Sequence, residues 1–247
     1  NLRKPNLLIH LRPIINDLKN GDIPIGLILE DVDKASFLEN EISHLPIFEE
    51  SQVHSLLTKG ITVSGDVHSK APPNTVHLNT FHNQPVKYWM HPRSLLRKID
   101  GFLCWGNFQK KYIEHLYVNT GLMNPLIFET GAPVLDRMFN GTCDKTKLMQ
   151  KHRINIKNKT VLIAPSWNEG LLVREHGNAL FETLLKAPEN INVLLRLHPA
   201  SMFSKDADSN NHFTGGQNWS DRIATLTKAR KNIIDFSTEP DAVEALI

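Results

Sequence analysis

Three short stretches of this sequence gather side chains that handle anions and protons. "TFHNQPVKYW", Thr80–Trp89, holds His82, Asn83 and Lys87 just after the β-like run "NTVHLN". "APSWNEG" sets Ser166, Trp167, Asn168 and Glu169 at the end of the apolar run "VLIAP". "LLRLHP" sets Arg196 two residues before His198, again behind an apolar run. Side chains two apart on an extended chain share one face. A guanidinium and an imidazole side by side suit an anionic phosphate. Each cluster also has a plainer reading. A histidine at a strand end is often a capped loop residue, "APSWNEG" reads as a turn before a helix, and "HNQPVK" alone is a polar loop. Their common position argues for more, because ligands of open α/β sheets bind beyond the carboxyl ends of the strands.

The elements that must hold these clusters can be read from periodicity. Leu7–Leu18 reads as an amphipathic helix interrupted by Pro13, and Ile23–Leu29 as a buried parallel strand. A helix over Ala35–Ile42 and strands near Ile61, Val76 and Asp100–Gly106 follow. Asn107–Val118 is a helix opened by an asparagine cap, and "NPLIFETG" a strand and turn closed by Gly131. Two helical stretches lead to Ile154. The pattern then restarts, with strands at Asn158–Trp167, Ile191–Pro199 and "NIIDFS" alternating with helices at Gly177–Ala187, Asp221–Arg230 and "EPDAVEALI". Met202–Ser220 reads as a long loop. Alternating strands and helices imply an α/β fold with parallel sheets. The break near "KHRINIKN" divides the chain into expected domains 1–152 and 153–247, the second stopping short of a full doubly wound sheet.

Bulk properties exclude several classes. Of 247 residues, 40% are hydrophobic and 22% charged, which suits a soluble globular chain with a real core. The net charge of +2 gives no help to nucleic-acid binding. The 12 histidines are scattered, without HExxH or paired CxxC spacing, so no metal is expected. Two cysteines, Cys104 and Cys143, make no disulfide framework and fit a reducing compartment, which also weakens glycosylation at Asn140, Asn158 or Asn218. No apolar run spans a bilayer, and neither a signal peptide nor an initiator methionine is visible. GxGxxG, GxxxxGK[ST] and GxSxG are all absent, so dinucleotide, P-loop and α/β-hydrolase sites are not supported.

Taken in order, "LLIHLRPIINDLKN", "TFHNQPVKY", "IDGFLCWGNFQKKYI", "VLIAPSW" and "VLLRLHP" resemble the CDP-glycerol glycerophosphotransferase family, the teichoic-acid and capsule polymer transferases. That resemblance implies a GT-B-like α/β architecture, two Rossmann-like domains facing across a cleft. Residues 1–152 would form the acceptor side, and 153–247 a nucleotide-donor domain incomplete in this sequence. By the resemblance, His82 matches a histidine usually followed by glycine, where this chain has Asn83. Arg196 and His198 match the Arg-x-His-Pro element, and Ser166 and Trp167 a Pro-Thr/Ser-Trp turn. A later Asp-x-Ser element is expected after Ile247.

The implied reaction moves glycerol phosphate, or a related polyol phosphate, from a CDP-activated donor to a hydroxyl of a cell-surface polymer or lipid-linked glycan. His82 would act as base, with His198 and Arg196 stabilising the pyrophosphate and Lys87 adding charge. Asn83, Ser166, Trp167, Asn168 and Glu169 would line the substrate site. No cofactor is expected. The enzyme would sit in the cytoplasm, peripherally on the inner face of the bacterial membrane. Basic stretches near Lys110 and Lys111, with Tyr112 and Tyr117, and near Lys228–Lys231 are the candidate contacts. Two other readings stand beside this one: a GT-B glycosyltransferase or epimerase using a nucleotide sugar, and a degenerate, non-catalytic GT-B binding module.

Overall fold

The computed structural model describes residues 8–29, 45–56, 59–80, 93–140, 144–166, 170, 172–202 and 216–237. The chain forms two compact units, Asn1–Asp136 and Arg137–Ile247. Residues 137–152, counted with the first domain in the sequence reading, cluster with the second unit.

The first unit opens with α1 (Leu8–Asn20), which runs through Pro13 without ending there. Leu8, Leu11 and Ile15 are buried in one cluster with Leu27 and Leu29. That apolar face holds the helix together across the one backbone bond a proline removes. Of the run Ile23–Leu29, only Leu27–Leu29 forms strand β1, and Ile23 is 52% exposed. β1 pairs in parallel with β2 (Ile47–Glu49), and a 3₁₀ turn follows at Glu50–Ser55.

Four parallel strands then form one sheet in chain order: β3 (Gly60–Ser64), β4 (Thr75–Thr80), β5 (Gly101–Cys104) and β6 (Leu126–Glu129). α2 (Arg93–Leu96) and α3 (Asn107–Thr120) connect the last three. Gly106, and not Asn107, is the residue that precedes the first turn of α3. The helix ends at Gly121, whose φ of 61° is the left-handed conformation in which its N–H reaches the carbonyls of Tyr117 and Val118. Phe102, Cys104, Ile113, Leu116, Tyr117 and Leu96 make the core under α3. The Tyr117 hydroxyl donates to the Leu96 carbonyl at 2.9 Å, and its ring meets Phe102 edge-on.

Gly101 sits where β5 is pressed between its neighbours. A methyl group there would lie 2.9 Å from the Leu126 carbonyl oxygen, the Leu126 Cβ and the Leu78 Cδ2. Backbone cannot yield as a side chain does, so Gly101→Ala is expected to destabilise by about 1–3 kcal/mol. Denaturant unfolding checks this, and wild-type stability would show that the sheet has slack there.

In the second unit, α4 (Asp136–Phe139) begins at the junction. α5 (Lys145–Lys151) is capped by Asp144, whose Oδ1 accepts the Lys147 N–H at 3.0 Å. Three parallel strands, β7 (Lys159–Ile163), β8 (Ile191–Leu195) and β9 (Ile233–Asp235), form the sheet in that order. α6 (Leu172–Leu185), α7 (Pro199–Met202) and α8 (Trp219–Ala229) complete it. Val193, Leu195 and Leu197 face the core built by α6 and α8, with Val173, Leu180, Leu184, Trp219, Ile223 and Leu226. Leu194 faces the other way, onto Ile234, Phe236, Leu148 and Leu162. Burial on both faces is why "INVLL" is continuously apolar.

The sequence places a helix from Gly177, but α6 starts earlier, at Leu172, and breaks at His176 (φ −125°, ψ 19°). At the break the Gly177 backbone lies against the indole of Trp219, 3.0 Å from where a Cβ would stand.

Candidate functional site

The carboxyl ends of β7, β8 and β9 carry three of the residues singled out in the sequence. Ile163 and Leu195 are register partners, and Leu195 pairs with Asp235. The ladder continues one step further, with Arg196 N–H donating to the Ile163 carbonyl at 2.9 Å and Phe236 N–H to the Leu195 carbonyl at 2.7 Å. Ser166, exposed, follows β7 on this rim. Arg196 and His198, both half-buried, flank the buried Leu197. They lie just beyond the strand, where the alternation of β8 persists.

The Arg196 guanidinium donates through Nη1 to the Phe236 carbonyl at 2.8 Å. One of its five N–H groups therefore fixes it to the end of β9. The next residues reinforce this corner. Leu197 N–H donates to Ser237 Oγ at 3.1 Å, and Ser237 N–H to Asp235 Oδ1 at 2.7 Å. Asp235-Phe236-Ser237 is thus an Asp-x-Ser sequence on the same rim as Arg196 and His198. A sequence of the kind expected after Ile247 thus also stands within this chain, at the end of the third strand of the second sheet. The signal was present in "NIIDFS", an apolar run closing on polar residues, but nothing local said which strands it would join. His152 also reaches this region, its ring 4.3 Å from that of Phe236. His198 supplies the carbonyl that accepts the Ser201 N–H at 2.8 Å, which opens α7. Trp167, Asn168 and Glu169 lie outside the described residues.

In the first unit, β4 ends at Thr80, and His82, Asn83 and Lys87 lie outside the described residues. The strand ends on either side are described. Ser64 closes β3, fully buried, and Cys104 closes β5, also buried. Burial, reinforced by Glu129 and Glu114, pushes the Cys104 thiol up to about 11, so it is no nucleophile at neutral pH. Trp105 follows, its N–H donating to Gln109 Oε1 at 2.6 Å and its ring stacking on His10 of α1.

The basic stretches divide differently from the sequence expectation. Tyr117 is 2% exposed and belongs to the core, so it cannot contribute to a surface contact. Lys110 Nζ lies 3.0 Å from Glu129 Oε1, and its pKa is raised by that hydrogen bond and charge. Arg230 Nε donates to the Leu185 carbonyl at 2.7 Å, while Lys111, Lys228 and Lys231 are exposed. Among the described residues, no helix is long and apolar enough to cross a membrane.

No protein-family model matches the chain, and no curated protein matches it. Solved structures do. The wall teichoic acid polymerase TagF is 15% identical and superposes with a TM-score of 0.59, over 98% of this chain and 64% of the polymerase chain. A histidine-to-alanine variant of TagF gives 0.57 at 15% identity, over 96% of this chain and 60% of that one. A histidine-to-asparagine variant soaked with CDPG for 30 minutes gives 0.59 at 15% identity, over 96% and 58%. The chain therefore spans between 58% and 64% of the length of these polymerase chains. With two α/β units of parallel strands in the order described, it shares the fold of the matched part of the teichoic acid polymerase TagF.

Proposed function

We propose that this chain is a transferase of the teichoic-acid polymerase kind, moving glycerol phosphate or a related polyol phosphate from a CDP-activated donor to an acceptor hydroxyl. The observation that carries the reading is the carboxyl rim of the second sheet. Ser166, Arg196, His198, Asp235 and Ser237 converge there from three adjacent parallel strands. A fold shared with a polymerase that has been soaked with CDPG supports the donor class.

In the proposed reaction the acceptor oxygen attacks the β-phosphorus of the donor, its proton passes to His82, and CMP leaves. Such a transfer depends on alignment and charge neutralisation more than on covalent help. Arg196 and His198 offset the pyrophosphate charge, and Lys87 adds to it. Ser166 and the segment through Trp167, Asn168 and Glu169 line the donor, with the first turn of α6 turning its amides toward the same anion. The first unit serves the acceptor, with Asn83 among the residues that bind substrate. The acceptor is a cell-surface polymer or lipid-linked glycan, reached by peripheral contact at a membrane through Lys111 and the Lys228–Lys231 stretch.

The test is direct. Protein is incubated with CDP-glycerol, CDP-ribitol and UDP-sugars, with and without a glycerol-phosphate primer, and released CMP or UDP is measured. Primer-dependent CMP release supports the reading. UDP release moves the protein to nucleotide-sugar chemistry, and donor binding without turnover makes it a binding module.

Arg196→Ala is expected to weaken donor binding by about tenfold or more, the usual effect of losing a charge-assisted contact. Arg196 also holds the Phe236 carbonyl, so Arg196→Lys is the companion variant. Calorimetric titration with CDP-glycerol checks both, and unchanged donor affinity in the alanine variant would remove Arg196 from the site.

A further inference from the structure

Three fully buried polar side chains lie side by side in β3 and β4: Ser64 and Asn79 at 0% exposure and His77 at 2%. They point to the face covered by α3, since Asn79 is the register partner of Phe102. Their hydrogen bonds have one consistent direction. His77 Nδ1 lies 2.9 Å from the Lys98 carbonyl, which can only accept, so Nδ1 carries the proton. In the neutral ring Nε2 is then an acceptor, and Ser64 Oγ, 2.7 Å away, donates to it. Ser64 in turn accepts from Asn79 Nδ2 at 3.0 Å. Among the described residues, this leaves Asn79 Oδ1 buried with no hydrogen-bond partner. A native interior rarely keeps such an acceptor without a reason.

The spare acceptor has a use when the ring is charged. A protonated His77 donates from both nitrogens. Ser64 Oγ then accepts from Nε2 and must direct its own proton elsewhere, and Asn79 Oδ1 is the only member of the set able to take it once the amide turns over. We propose that Ser64, His77 and Asn79 form a reversible relay in which uptake of one proton by His77 reverses the two hydrogen bonds among them, keeps the one to the Lys98 carbonyl, and rotates the Asn79 amide. The proton comes from solvent and forms an N–H bond at Nε2, so the net change is one positive charge on the ring. No other covalent bond of the protein is made or broken.

The surroundings set where this happens. Burial lowers the His77 pKa most, and the Lys98 carbonyl and, by less, Asp100 oppose it. Asp100 is the nearest carboxylate, its Oδ2 accepting the His77 N–H at 2.7 Å. Thr62 lies beside His77 in register, and Tyr117 from α3, whose pKa burial raises, interacts with the same Asp100 and is uncharged at neutral pH. The unfolded ring titrates near about 6.5. Between that value and the lower one of the fold, the unfolded chain holds a proton the fold lacks. Stability contributed by neutral His77 is therefore complete above about 6.5 and declines as pH falls toward the folded pKa. The relay does not depend on the transferase reading, and its failure would leave that reading intact.

The relay ends at Asn79, one residue before the end of β4. Protein labelled with ¹⁵N in histidine and asparagine side chains provides the test. At neutral pH, long-range ¹H–¹⁵N spectra should show His77 as the Nδ1–H tautomer. As pH falls below about 6.5, the Asn79 amide protons should shift with the same midpoint as the His77 ring. In Ser64→Ala the ring should still titrate while the Asn79 signals become independent of pH. The relay is overturned by Asn79 signals that stay fixed while His77 titrates, by signals that follow it equally in Ser64→Ala, or by a ring that stays neutral until the fold melts.

Discussion

His82→Ala is expected to lower turnover by roughly a hundredfold or more, the usual scale for a lost general base, while donor affinity changes little. The two effects separate because the base acts on the acceptor hydroxyl, whereas the donor's phosphates are held from the second unit in the proposed reaction. Steady-state CMP release gives turnover, and calorimetry with CDP-glycerol gives affinity. A variant that keeps turnover within a few fold of wild type would take the base role away from His82. Equal and mild losses in both quantities would contradict this division of roles. His198→Ala supplies the contrast, since a group that offsets pyrophosphate charge should lose donor binding as well as rate.

Trp219→Ala is expected to lower the stability of the second unit by about 3–5 kcal/mol, the range for removing a large aromatic from a core. Trp219 is 1% exposed and packs among Val173, Leu180, Ile223 and Leu226. Its ring also lies under the Arg222 guanidinium, 5.6 Å from the centroid, while Arg222 is held by the Gly177 carbonyl and Asn178 Oδ1. Removing the indole empties the space under Gly177 and takes away one of the two rings that Arg222 covers, leaving Phe181. Trp219→Phe should cost much less than alanine. It keeps part of the packing and deletes an indole N–H that is buried without a partner among the described residues. Denaturant unfolding followed by circular dichroism measures both, and an alanine variant within about 1 kcal/mol of wild type would mean the core collapses around the gap.

What was legible in the sequence is the part that local pattern controls. A run such as "INVLL" must be buried on both faces, and a parallel strand between two helical layers is the element that does this. Alternation of such runs with amphipathic stretches determined the α/β class, and the polar residues closing each run marked the carboxyl rim where Ser166, Arg196 and His198 are found. Boundaries were less legible. Ile23–Leu29 has the hydrophobicity of a full strand, but only its last three residues meet a partner, and α1 survives Pro13 because tertiary burial outweighs one missing backbone bond.

The tertiary structure alone decided which distant residues became neighbours. Arg196 and Phe236 are 40 residues apart, and only the pairing of β8 with β9 brings the Asp235–Ser237 turn onto the rim. Tyr117 sits in a stretch rich in charge, and the sequence offered it as a surface residue. The rotation of α3 turned it inward onto Phe102 and the Leu96 carbonyl. Ser64, His77 and Asn79 looked like ordinary polar members of two strands. The parallel register of β3 with β4 aligned them, and the core under α3 removed them from water. Periodicity reports which face of an element is apolar, because that is a property of neighbouring residues. It carries no information on strand order, register or the partner opposite, because those follow from contacts that form only when the whole sheet closes.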